Sequence, residues 1–338
     1  MSETFVDDLV GSTSTGLPVR FFDRFMFNLH PRDAIGPSLI VGAGVYPGTK
    51  VVDGFLVAVI GDIQRNLRFS TELRASTERH VGPFSWTVEE PMRRWRLRLA
   101  DNLEGVELEA VWTARAPAWD GDVTVRDEAG AVSSSFEHLF QSGTYAGTLT
   151  IDGDRQEIDG WYGQRDRSRG VRTMSGGQGL HLWVQPQFRD RSVGFLLVED
   201  RKQRRLLLEG AVMHADGRLD PVVDVRHDLV FDEKFDLRSG RFVVTTASGA
   251  REELQADAGS RGGYMAGGGY GGHHGRAHGR DHLEHDEFAL DGSVGPSTVD
   301  TPLTDRVARF ADAGGVEGVG VLEFAHSRSS SYVYQPSL

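Results

Sequence analysis

Short apolar runs separated by turn residues recur along this chain, and their length restricts the fold more than any other feature. VRFFDRFMFNLH (19–30), KVVDGFLVAVI (50–60), GVELEAVWTAR (105–115), LHLWVQPQF (180–188), SVGFLLVED (192–200) and GVGVLEFAH (318–326) are rich in Val, Leu, Phe or Trp. Gly, Asp or Asn bound most of them, the pattern of strands rather than of helices. In RRWRLRLA (93–100), Trp95, Leu97 and Leu99 alternate with Arg94, Arg96 and Arg98, as in a strand with one buried side. Helical signals are confined to SSSFEHLFQSG (133–143) and TDRVARFADAGG (304–315), each with a capping residue at its start and Gly at its end. The prediction is a mainly β protein with a few short helices. Its antiparallel strands are expected to close into barrels, because open sheets would expose many edges.

A chain of 338 residues suits two domains, and the first helix-like connector ends near Ser142. The expected division is 1–142 and 143–338. A formal net charge of -12 argues against nucleic acid as a partner, since phosphate binding rests on clustered Lys and Arg. The absence of cysteine removes disulfides, thiolate nucleophiles and Cys-based zinc sites. No basic stretch followed by an apolar run opens the sequence, and no run is long enough to span a bilayer, so no integral membrane segment and a cytoplasmic location are expected. No cofactor is predicted. GGGYGGHHG lacks the Lys-Ser/Thr of a phosphate loop, VGAGVYPG opens no βαβ unit, and no G-x-S-x-G elbow occurs.

The compositional outlier is a Gly/His-rich loop, 258–282, with Tyr264 and Tyr270 among its glycines. It is either mobile or a lid over a pocket. His273, His274, His278, His282 and His285 fall in this loop and its exit, beside Asp281, Glu284, Asp286 and Glu287. Imidazole and carboxylate together suit transition metals, but H-E-x-x-H is absent, and the reading is a polar loop with no metal site.

The charge pattern concentrates in GWYGQRDRSRGVR (160–172). As a strand, it directs Trp161, Arg165, Arg167 and Arg169 to one face and Tyr162, Gln164, Asp166 and Ser168 to the other. Neither face suits an apolar core unless its charges meet counter-ions, a ligand or water. The next run adds His181 and Trp183, and with Tyr162, Tyr264 and Tyr270 these supply aromatic and imidazole groups for the walls of a pocket. The alternatives are that Trp161 and Trp183 are core residues, and that the arginines pair with carboxylates at a domain interface.

The order FEHLFQSGTYAGTLTIDG, then GWYGQRDRSRG, then a Trp-bearing strand, resembles the carotenoid 1,2-hydratase (hydroxyneurosporene synthase) superfamily and its uncharacterised actinobacterial-type relatives over residues 136–188. The resemblance implies two tandem lipocalin-like β-barrels, with an apolar ligand cavity associated with them. It also implies water addition to isoprenoid double bonds, or assistance to polyene cyclisation. The family motif runs approximately R-D-H-S-W-G. Arg165, Asp166, Ser168 and Gly170 match it, whereas Arg167 stands at the His position and Arg169 at the Trp position. Asp166 is then the candidate proton donor, with Tyr162 or His181 positioning water. Trp161, Trp183, Arg165, Arg167, Arg169, Tyr264 and Tyr270 are the candidate substrate-binding residues. The expected partner is a small apolar or amphipathic ligand. It is either hydrated, dehydrated or isomerised, or held without turnover by an Arg-lined site for an anionic head group.

Overall fold

The computed structural model describes residues 8–11, 14–74, 79–126, 130–172, 178–259, 261–293 and 302–338. Twelve strands come first: β1 (Phe21–Leu29), β2 (Ser38–Tyr46), β3 (Val51–Ile60), β4 (Ile63–Glu72), β5 (His80–Val81), β6 (Phe84–Glu90), β7 (Arg94–Leu99), β8 (Val106–Ala114), β9 (Trp119–Arg126), β10 (Val132–Ile151), β11 (Asp154–Glu157) and β12 (Tyr162–Val171). Nine follow: β13 (Gln178–Gln187), β14 (Arg191–Asp200), β15 (Arg205–His214), β16 (Leu219–Phe231), β17 (Leu237–Thr246), β18 (Arg251–Asp257), β19 (His282–Ala289), β20 (Thr304–Asp312) and β21 (Glu317–His326).

One thirteen-stranded sheet runs β19-β4-β3-β2-β1-β12-β10-β8-β7-β6-β5, with β9 and β11 also paired to β10. It curls until β5 approaches β3 and β4. The strands β13 to β18, β20 and β21 close an eight-stranded antiparallel barrel. This is the tandem lipocalin-like architecture expected, with a curled half-barrel in place of the first closed one. Ser142 lies inside β10, opposite Gln164 of β12, and the change from sheet to barrel falls between β12 and β13. The chain then returns once: β19 leaves the barrel sequence to pair with the edge strand β4.

The two segments predicted as helices are strands, and no helix occurs among the described residues. Ser133–Gly143 belongs to β10, whose two edges are both taken, by β12 on one side and by β9 then β8 on the other. Thr304–Asp312 is β20, paired with β21. Ladder pairing on both edges overrides the local serine and threonine signals.

Alternation along each strand builds three large cores and a small fourth one of Phe22, Val123 and Phe136. Phe25, Phe27, Leu56, Trp95 and Trp112 fill the concave side of the sheet. Leu182, Phe195, Phe242, Leu322 and Phe324 fill the barrel. The residues between these, Met26, Ile40 and Phe55 from the sheet and Trp183, Leu196 and Val321 from the barrel, form a third core where the sheet's back meets the barrel's outer wall. Two layers that each bury one face thus share a seam, and polar side chains caught in that seam must find partners.

Candidate functional site in the seam between sheet and barrel

The two faces of β12 divide as alternation requires, and the arginines take the inner one. Arg165 lies with its guanidinium 4.5 Å from the Trp95 ring, in the concave core. Arg167 Nη2 donates to Asp23 Oδ1 at 2.9 Å, both side chains fully buried. Arg169 Nη2 donates to Glu137 Oε2 at 2.7 Å. These three are packed inside the sheet, where cation–π contact and paired carboxylates offset the cost of buried charge. Asp166 faces the other way, into the seam.

There Asp166 Oδ1 accepts a hydrogen bond from His138 Nε2 at 2.7 Å, and His138 Nδ1 is hydrogen-bonded to Glu209 of the barrel strand β15. Trp119 Nε1 donates to the second oxygen of Glu209 at 3.1 Å. Burial opposes a charge on His138, but the carboxylates of Glu209 and Asp166 outweigh it and raise its pKa from 6.5 to about 10. The ring is an imidazolium at neutral pH, a stored proton between two bases. Because the folded value is raised, this stabilisation is fully present below the unfolded value of about 6.5. It is lost as pH rises through about 10. Urea unfolding is expected to show stability falling from about pH 7 to 10 by up to about 1.4 kcal/mol per pH unit. His138→Gln should flatten that slope, and an unchanged slope would mean that another group carries it.

A second pair sits on the barrel wall. His181 Nε2 is hydrogen-bonded to Glu323 Oε1 at 2.6 Å. Asp305 lies directly across the ladder from Glu323. Two carboxylates at opposed positions cannot both ionise at low cost. Burial, then the charge of Glu323, pushes the Asp305 carboxyl well above the usual range. The proton therefore rests on Asp305, and the negative charge stays on Glu323 beside His181.

Beside these groups opens a cavity of about 420 Å³, lined by Phe22, Arg24, Tyr46, Arg172, Tyr270 and His274 among others. Arg24 stands 4.6 Å from the Tyr270 ring and Arg172 4.3 Å from the Phe136 ring. Among the described residues neither arginine forms an ion pair, although Asp166 and Glu323 lie within electrostatic reach of Arg172. Burial pushes the Tyr270 phenol up to about 12, so it remains an O–H donor. The combination is a cationic, aromatic hollow next to a carboxylate–imidazolium–carboxylate relay.

The Gly-rich loop supplies one wall and is tied to the sheet by hydrogen bonds; Ser260 lies outside the described residues. Gln64 holds the backbone of Tyr264 from both sides at 2.9 Å, Arg68 donates to Gly267 O at 2.6 Å, and Gly275 N donates to Asp53 Oδ2 at 2.8 Å. At Gly263 the φ is +74° and a Cβ would lie 1.5 Å from Asp305 O, so only glycine lets the loop dock on β20.

Of the residues expected from the sequence, Asp166, His181, Trp183 and Tyr270 meet at this seam. Tyr162 does not: it lies between Arg32 and Arg115 at the lip of a separate cleft of about 650 Å³. Among the described residues no buried acid–base pair lines that cleft. Trp161 packs on the rim of the concave core, and Tyr264 points its hydroxyl at Asp236, 3.4 Å away. His138, Glu209, Glu323, Asp305 and Arg24 were not anticipated. Reading 133–143 with a period of two puts His138 on one face with Phe136 and Phe140, which would have marked it.

The fold is shared with solved structures. An AttH-like protein from Nitrosomonas europaea superposes with a TM-score of 0.60 at 10% identity, covering 96% of this chain and 100% of that one. Kievitone hydratase from Nectria haematococca gives 0.55 at 12% identity, covering 94% and 93%, and CghA with Sch210972 gives 0.54 at 12%, covering 95% and 94%. No curated protein sequence matches the chain. Residues 12–332 match the model of a family of unknown function, DUF8625, and the chain belongs to that family.

Proposed function

We propose that the seam is the active site of an enzyme that adds water to, or removes it from, a carbon–carbon double bond of a largely apolar ligand bearing a carboxylate. The observation that carries this reading is the buried His138 imidazolium hydrogen-bonded to Asp166, whose carboxylate is within electrostatic reach of Arg172, one of the two arginines that line the cavity. The name of one structural neighbour, a hydratase, agrees with it.

The chemistry follows from what these groups hold. Arg24 and Arg172 bind the ligand's carboxylate, while Phe22, Tyr46 and Tyr270 cover its apolar body. A proton passes from His138 Nε2 to Asp166 and on to one alkene carbon, and the π electrons form the new C–H bond. The Asp166 carboxylate left behind faces the carbocation. A water oxygen then bonds to the second carbon, and its surplus proton returns to Asp166 and His138. The sum is one water added, with no net change in the enzyme. Glu209 holds the imidazole in place throughout.

The test incubates the protein with polyene carboxylic acids in ¹⁸O-labelled water. The expected product carries one labelled hydroxyl. Tight binding without incorporation of label for any acid tested would leave a ligand-binding protein in place of a hydratase.

A further inference from the structure

The Gly-rich loop carries a second constellation that the cavity does not use. Gly275 (φ +70°) and Gly279 (φ +105°) turn the chain so that His273, His278 and His282 converge. Each offers a ring nitrogen, and these atoms all lie within 4.8 Å of one another. His273 is 7% exposed, and neither of its ring nitrogens has a hydrogen-bond partner. A buried polar group left in that state costs about 1–3 kcal/mol, unless something fills the position it faces.

The carboxylate of Glu284 completes the set. Its Oε1 lies 3.4 Å from His273 Nδ1, and its Oε2 lies 3.3 Å from His282 Nε2. Zinc bonds of 2.0–2.1 Å at tetrahedral angles put neighbouring ligand atoms about 3.3–3.4 Å apart. The two imidazole-to-carboxylate spacings, one to each oxygen of Glu284, therefore already match what a tetrahedral ion imposes, and the three ring nitrogens stand within 4.8 Å of one another. His278 stacks on His273 with ring centres 4.4 Å apart, and its side chain is exposed, so a rotation brings its nitrogen in. Glu284 is held by Arg68 Nε at 2.6 Å, directly across the β19–β4 ladder.

We propose that His273, His278, His282 and Glu284 form a site for a divalent transition ion, with zinc the best match to three imidazoles and a carboxylate. The ion ties the middle of the Gly-rich loop to β19 at the edge of the sheet. The same loop carries Tyr270 and His274 into the cavity, so metal occupancy and the shape of that wall are linked.

The experiment uses the untagged full chain, stripped with chelator, titrated with zinc chloride by calorimetry and with Co²⁺ by visible absorption. The expected result is one saturable site and the intense spectrum of four-coordinate cobalt. His278→Ala, which removes an exposed ring stacked on His273 and His282, should weaken zinc binding by at least the roughly 10–100-fold that loss of an outer-shell partner costs. His285→Gln, outside the four, should leave it unchanged. Weak multi-site binding, or equal affinities for wild type and both His278→Ala and Glu284→Gln, would overturn the proposal.

Discussion

Replacing Asp166 by Asn is expected to lower the rate of water addition by about 10²–10⁴-fold, the usual contribution of a positioned general acid, while ligand affinity and fold persist. Asn keeps the shape, and its carbonyl still accepts the hydrogen bond from His138 Nε2. What it loses is the ability to carry a proton from that ring to the alkene. The buried partner is not orphaned, because His138 retains Glu209 on its other nitrogen. The measurement is the labelled-oxygen assay on the variant beside a binding titration with the same acid. A rate within about threefold of wild type would remove Asp166 from the mechanism and leave its bond to His138 a structural one.

The second large effect concerns selectivity. Wild-type protein should bind a polyene carboxylic acid about 10–100-fold more tightly than the matching alcohol, since charge-assisted hydrogen bonds contribute about 1.5–3 kcal/mol. The double variant Arg24→Gln, Arg172→Gln should bring the two affinities within about threefold. Neither arginine anchors the fold through an ion pair among the described residues. Loss of their ring contacts with Tyr270 and Phe136 costs about 0.5–1 kcal/mol each. Fluorescence titration of retinoic acid against retinol reads the ratio directly. Equal affinities in the wild type would mean that the cavity has no anion site.

The strands were legible because alternation is a local signal. Trp95, Leu97 and Leu99 are buried and Arg94, Arg96 and Arg98 are exposed, as their spacing predicts. The same rule assigned the two faces of β12 correctly but could not say which one met the core. The arginines of Arg94–Leu99 lie outside the sheet, whereas Arg165, Arg167 and Arg169 lie inside it. The difference comes from Asp23 on β1 and Glu137 on β10, strands that pair with β12 from distant parts of the sequence. Arg167 and Arg169, standing where the motif of the superfamily that the sequence resembles has His and Trp, therefore face away from Asp166. The imidazole that meets Asp166 is His138, hidden from the sequence reading by capping-like serines that suggested a helix. His181 and Glu323 likewise meet only because β13 and β21 close the barrel. Nor could composition reveal that the Gly-rich loop is pinned, since Gln64, Arg68 and Asp53 hold it from strands some two hundred residues away.

The central claim is that the ligand sits on the barrel-facing side of the sheet, under the Gly-rich loop, and not inside the barrel or the concave core. A crystal structure of the protein with a bound polyene carboxylic acid tests it most directly. The account predicts the carboxylate against Arg24 and Arg172, the chain along Phe22 and Tyr270, and an alkene carbon facing Asp166. Ligand density within the barrel, among Leu182, Phe195 and Phe242, or in the cleft beside Tyr162, would contradict it.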